Sequence, residues 1–212
     1  MPTWDELFKR EEFRLREPYH GVVRFAQLLK EKGARLVLDL GCGAGRHPVY
    51  LAKEGFEVHG TDISETGLEY ARRWLSEEGL AAELVRADMA QIPYPDGFFD
   101  AAISTFVVHH GSLEDMRRTL GEIHRVLRPG GLALITFKSK HSFRYGKGRD
   151  IEPNTFIIPD TGEDAGVPHH YSDREELEEL LQNFTIREIN HMERIFEGGY
   201  HSSHWEVWLE RP

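Results

Sequence analysis

The sequence predicts an α/β fold, a mostly parallel sheet with helices covering both of its faces. Three observations carry that expectation. Short apolar runs alternate with amphipathic stretches between residues 19 and 138, the first run ends in the glycine loop "VLDLGCGAGRH", and three successive runs close on aspartates. Parallel neighbours need long crossover connections, and helices supply them.

The elements follow in order. "YHGVVRFAQLLKEKG" (19–33) spaces its apolar residues helically and stops at Gly33. "RLVLDL" (35–40) is a β-branched strand, and a helix opens at Pro48, where a missing N–H is harmless, and closes at Gly55. "FEVHGTD" (56–62) is a second strand, and Ser64 N-caps the helix "ETGLEYARRWLSEEG". "AELVRAD" (82–88) and "FFDAAIST" (98–105) are further strands, "LEDMRRTLGEIHRVL" (113–127) is a helix, and "PGG" turns into a fifth strand, "LALITFK" (132–138). Residues 139–168, rich in Gly, Pro and charge, read as a long irregular insertion. Ser172 and Glu175 form a capping-box pattern ahead of a helix. "TIREINHMERIF" and "HSSHWEVWLER" then form an antiparallel pair around Gly198 and Gly199. The chain divides into an N-terminal helical lid (1–33), a core (34–138), an insertion (139–171) and a closing helix with its strand pair (172–212).

Composition bounds the function. A length of 212 residues suits one domain. The net charge of -10 disfavours binding to a phosphate backbone. The single cysteine, Cys42, excludes an internal disulfide and a multi-cysteine metal site, so no metal is expected and the compartment is a reducing cytoplasm. The opening residues hold no signal-peptide core, and no run is long enough to span a membrane. Sparse Asn and Gln beside abundant Glu and Arg lean towards a thermophilic source.

The loop narrows the ligand. A dinucleotide fingerprint spaces its glycines G-x-G-x-x-G, whereas here they are Gly41, Gly43 and Gly45, with Arg46 in the completing position. Asp39, two residues ahead, repels a pyrophosphate and attracts a cation, which suits an adenosine compound without phosphates. Asp62 ends the second strand, where a carboxylate can accept both ribose hydroxyls, and Asp88 ends the third.

"VLDLGCGAGRH", "VHGTDIS", "VRADMAQIPYPDGFFDAAIS" and "RVLRPGGLALITF" together resemble the successive motifs of class I S-adenosylmethionine-dependent methyltransferases, in detail over residues 35–138. That resemblance implies a Rossmann-like seven-stranded sheet of order 3-2-1-4-5-7-6, strand 7 antiparallel. It implies S-adenosylmethionine as cofactor. Asp39 with Gly41, Cys42, Gly43 and Gly45 would face the methionine part, Asp62 and Ile63 the ribose side, and Asp88 with Met89 the adenine. Ser104 and Thr105 would line the region of the sulfonium.

The acceptor is less legible. Cys42 lies inside the cofactor loop, so a cysteine nucleophile for cytosine carbon is missing, and strand four continues as "STFVVHH" without the Asn/Asp-Pro-Pro-aromatic signature of amino-group methylation. A small molecule methylated on O, N, C or S remains. His109, His110 and His170 are the candidate catalytic side chains; Tyr19, His141, Arg144, Tyr145, His169 and Tyr171 are candidate acceptor contacts. The strip "KSKHSFRYGKGR" (138–149) is basic in an acidic chain and suits an anionic acceptor. Trp4, Phe8 and Phe13 form a stripe fit to cover the cofactor mouth. No membrane or nucleic-acid partner is expected, and the state is monomer or homodimer. The rival readings are a nicotinamide-dependent oxidoreductase, a non-catalytic cofactor-binding module, and an RNA or protein methyltransferase using the basic strip.

Overall fold

Val37 and Leu38 are both fully buried, and they enter different hydrophobic clusters. Successive strand residues point to opposite faces, so this pair alone requires a sheet covered on both sides. The computed structural model describes residues 3–157, 166–195 and 201–212. Strand β1 (Leu36–Leu40) lies between β2 (Glu57–Asp62) and β4 (Phe99–Ser104), both parallel to it; β3 (Glu83–Arg86) flanks β2, and β5 (Leu127–Ser139) flanks β4.

One face packs on α2 (His20–Glu31), whose Val22, Phe25 and Leu29 join Val37, Val58 and Ile103. The other packs on α5 (Leu113–Val126), whose Met116, Leu120 and Ile123 join Leu38, Leu40 and Ala133. Each fully buried side chain of this size contributes about 1.5–3 kcal/mol relative to exposure. Burial of these two stripes is what fixes the sheet between the helices.

The remaining edge is built by β9 (Thr185–Ile195) and β10 (His201–Glu210). β10 runs antiparallel to β5, and β9 antiparallel to β10. The order 3-2-1-4-5-10-9 reproduces the expected 3-2-1-4-5-7-6. Gly198 and Gly199, expected in the connecting turn, lie outside the described residues.

Several expectations change. The insertion is not irregular throughout: it carries β6 (Arg149–Glu152), β7 (Thr155–Ile157) and β8 (Pro168–Ser172). β8 pairs parallel with the end of β5, Lys138 opposite Tyr171, and antiparallel with β7. The sheet therefore has ten strands among the described residues, not seven. These strands escape a periodicity reading because they are short and polar; His169, His170 and Ser172 are buried through hydrogen bonding and packing, not through hydrophobic alternation. Helix α3 (Arg46–Lys53) begins two residues before Pro48, with Gly45 as its N-cap. Pro48 is still in the first turn, where no intrahelical donor is lost. The cap of α6 (Arg174–Leu180) is Asp173, accepting the Glu176 N–H at 3.0 Å, and not Ser172, which ends β8. β5 starts at Leu127, and "RPGG" forms a bulge: Phe99 faces Leu127, while Ala101 faces Leu132.

Helix α1 (Trp4–Phe8) opens the described chain, closed by a capping box between Thr3 and Glu6. A 3-10 turn at Glu11–Phe13 follows. Helix α4 (Glu65–Glu77) receives α1, because Asp5 Oδ1 accepts both the Ser64 hydroxyl at 2.7 Å and the Thr66 N–H at 2.9 Å.

Candidate functional site

The carboxyl ends of β1 to β4 open into a cavity of about 1280 Å³. Open α/β sheets bind ligands there, where the strand order reverses. The loop after β1 is held by its neighbour: Gly41 and Cys42 both donate to the Thr61 carbonyl, at 2.7 and 3.0 Å. Gly43 donates to Asp62 Oδ2 and Ser64 to Asp62 Oδ1, each at 2.8 Å. Two glycines are demanded by contact as well as conformation. A Cβ on Gly43 (φ 51°) would stand 2.7 Å from the Phe8 ring, and one on Gly45 (φ 94°) 2.7 Å from the Ala71 Cβ.

Burial raises the Asp62 carboxyl to about 6, with Asp39 and Asp5 adding repulsion while the two N–H donors oppose it. Beneath the loop, Asp39 is 1% exposed, and its Oδ2 has no hydrogen-bond partner among the described residues. His47 Nδ1 stands 3.7 Å away, beyond hydrogen-bond reach. His47 Nε2 lies 3.3 Å from the Tyr19 N–H, so its proton resides on Nδ1, facing Asp39. Burial holds His47 below its ordinary value, and it is neutral there.

Most of the expected cofactor residues reach this cavity. Gly41, Cys42, Gly43, Asp62, Ile63, Asp88, Met89 and Thr105 line it. Ile63 is an exposed large hydrophobic beside Asp62, and Asp88 accepts the Ala90 N–H at 2.8 Å. Asp39, Gly45 and Ser104 are not on the wall. Asp39 sits behind it, next to His47 and Arg46, which are on it. Gly45 packs on Ala71, and the Ser104 hydroxyl donates to the Leu40 carbonyl at 3.0 Å, tying β4 to β1. Burial pushes the Cys42 thiol well up, as for a small structural residue.

The acceptor-side residues divide similarly. His109, His110, Tyr19 and Arg144 line the cavity. His170 does not: its Nδ1 meets Thr155 Oγ1 at 2.8 Å and its Nε2 meets Glu176 at 3.2 Å, a buried structural link between β7 and α6. His141 packs on His191, ring centres 4.9 Å apart, and the Tyr145 hydroxyl donates to Asn154 at 2.8 Å. Tyr171 is fully buried beside Tyr145 and Phe156. His169 is buried behind His110.

The sequence reading missed His47, Phe106 and His204, all on the wall, and named Lys138 only as part of the basic strip. Phe106 has φ 61° and places its ring 5.2 Å from Tyr19 and 4.9 Å from His204. A positive φ at a phenylalanine leaves no mark in sequence. Two basic residues at the strip's edge, Lys138 and His204, face each other across the β5–β10 ladder, a pairing that only register reveals.

A family model described as a methyltransferase domain matches residues 37–131. It spans the loop, all three strand-end aspartates and the "RVLRPGG" turn.

Over this segment the chain is similar to class I S-adenosylmethionine-dependent methyltransferases.

Among curated relatives, a demethylmenaquinone methyltransferase from Thermus thermophilus is 36% identical over 114 residues, 53% of this chain and 51% of that protein. A glycine/sarcosine N-methyltransferase from Aphanothece halophytica is 32% identical over 168 residues, 72% of this chain and 62% of the relative. The chain thus spans about half to three-fifths of the length of these two relatives. A solved SAM-dependent methyltransferase from Methanosarcina mazei superposes with a TM-score of 0.77 at 23% identity, covering 92% of this chain and 98% of that one. At that identity the likeness establishes the methyltransferase fold. Among the described residues no helix is long and apolar enough to cross a membrane.

Proposed function

We propose that this methyltransferase uses S-adenosylmethionine to methylate a small molecule carrying negative charge. The observation that carries the reading is one cavity of about 1280 Å³ lined both by the glycine loop, Asp62, Ile63, Asp88 and Met89 and by Lys138, Arg144, His109 and His110. Sites for one ligand run to about 300–1,000 Å³, so there is room for a cofactor and an acceptor together.

The chain's own groups fit the cofactor. Asp39 is a buried acid beneath the loop, with Arg46 close by, and its Oδ2 has no hydrogen-bond partner among the described residues, so it can meet a donor or cationic group of the ligand. Asp62 has its two oxygens braced by backbone donors, which leaves further lone pairs aimed at the cavity for ribose hydroxyls. Ile63 and Met89 supply apolar cover for a planar base.

When bound, S-adenosylmethionine supplies an electrophilic methyl on a sulfonium; an acceptor atom forms the new bond to carbon as the carbon–sulfur bond breaks, leaving a neutral thioether. The protein positions the two. Holding reactants in line is worth effective molarities of ~10⁵ M or more. Trp4, Phe8 and Phe13 line the mouth and act as the lid that limits water, fastened through Asp5 to α4. Lys138 and Arg144 set the preference for an anion. The macromolecular reading gains less support, because Lys140 of the basic strip is engaged by Asp173 at 2.6 Å and Lys138 is buried.

Calorimetry with S-adenosylhomocysteine tests the reading. Micromolar binding is expected, and no heat at high micromolar ligand would overturn it. Candidate anionic small molecules are then screened by release of S-adenosylhomocysteine.

A further inference from the structure

We propose that His109, His110 and His169 form a three-histidine site for a divalent transition metal ion of the zinc type, opening onto the large cavity. Each offers one ring nitrogen, and these atoms lie within 4.8 Å of one another. In the sequence His169 lies 59 positions after His110, with no metal-like spacing, and the single cysteine excluded a multi-cysteine site.

The backbone brings the three together. His110 and His169 form an antiparallel bridge, His170 N–H donates to the His109 carbonyl at 2.8 Å, and Gly111 N–H donates to the Pro168 carbonyl at 3.2 Å. The turn after β4 is thereby stitched to β8, which holds the three backbone positions together and leaves the rings to adjust. Ring centres are 4.4 Å apart for His109 and His110 and 4.8 Å for His110 and His169.

The protonation pattern suits ligation. His169 Nδ1 lies 2.9 Å from the Val167 carbonyl, so it donates there and its Nε2 carries the lone pair. A metal-bound imidazole is commonly oriented in this way by a carbonyl on its other nitrogen. His109 is 2% exposed, and its Nδ1 has no hydrogen-bond partner among the described residues. A buried imidazole nitrogen in that condition is unexplained unless something occupies the space beside it.

The dimensions fit with small ring rotations. Nitrogens bound at about 2.0–2.1 Å in a tetrahedron stand roughly 3.4 Å apart, so the widest separation, 4.8 Å, must contract by about 1.4 Å. The fourth position faces the cavity, since His109 and His110 line it and His169 stands behind. Three neutral histidines leave the ion's charge uncompensated, and Lys138 adds another positive charge close to His109. The fourth ligand is therefore an anion, hydroxide or an anionic oxygen or sulfur. Trp4 packs edge-on against His110, ring centres 4.9 Å apart, and shields the outer side. Binding of the metal is independent of the cofactor reading above.

The test uses the tag-free full chain, stripped with chelator, without cofactor. Cobalt(II) titration is expected to give the intense visible bands of a four-coordinate ion at one equivalent, bleached by zinc. Zinc affinity, measured against a chromophoric chelator, is expected to fall at least about a hundredfold in His109→Ala and in His169→Ala, since loss of a mere orienting partner already costs 10–100-fold. His124→Gln, whose ring packs on Phe184, should leave it unchanged. His110→Gln, at the half-buried position, provides a second variant if the buried ones fail to fold by circular dichroism. A six-coordinate cobalt spectrum, or zinc affinity that survives loss of these histidines, would overturn the site.

Discussion

The backbone N–H of Gly43 donates to Oδ2 of Asp62 at 2.8 Å, so the carboxylate that ends β2 fastens the loop that leaves β1. Its other oxygen takes the Ser64 N–H, at the start of α4. One side chain thus joins the loop, the second strand and the helix behind it, while remaining on the cavity wall.

Asp62 should give the protein a measurable pH signature. Its carboxyl is raised from 3.8 to about 6. Below about pH 4 both folded and unfolded chains hold the proton; between about pH 4 and pH 6 only the fold holds it, so stability falls as pH rises, by at most about 3 kcal/mol. Urea unfolding across that window should show the slope, and Asp62→Asn should remove it. Affinity for S-adenosylhomocysteine should rise over the same window in the parent, because the ionised form accepts the stronger hydrogen bonds. An unchanged pH profile in the variant would assign the titration elsewhere.

Gly45→Ala should destabilise by about 2–4 kcal/mol, combining the cost of a left-handed φ with overpacking against the Ala71 backbone and Cβ. Gly55→Ala is the control. Its φ is also positive, at 89°, yet a Cβ there meets nothing within 4 Å, so about 1 kcal/mol is expected. Equal losses in chemical denaturation would mean that α4 yields to the added methyl.

Asp5→Ala removes both acceptor contacts that hold α1 on α4. The expected loss is local, about 1–2 kcal/mol of protection for the N-terminal segment. Hydrogen exchange should show faster amide exchange over residues 3–15 with the β1 and β4 amides unaffected. Uniform acceleration would show that the segment is part of the global cooperative unit.

Ser104→Ala separates packing from binding. The hydroxyl bonds to the Leu40 carbonyl, away from the wall, so about 1 kcal/mol of stability should be lost while affinity for S-adenosylhomocysteine holds. A tenfold loss of affinity at unchanged stability would return Ser104 to the binding surface.

The sequence by itself determined the central sheet, the strand ends and the loop. Val37 and Leu38, the alternating glycines and the aspartates at positions 39, 62 and 88 are local signals, because strand periodicity, capping and φ preference act over a few residues. Together with the family resemblance, which supplied the strand order, they brought Asp62, Ile63, Asp88 and Met89 to one cavity. Tertiary structure decided what lies opposite. Asp39 withdrew behind His47, Ser104 became a tie between strands, and His170 turned to Glu176, while Phe106, Lys138 and His204 came forward. β6 to β8 and the meeting of His109 and His110 with His169 depend on pairings between segments far apart in the chain. Their energies are realised only when both partners are in place, and polar strands of three to five residues carry too little periodicity to announce the pairing beforehand.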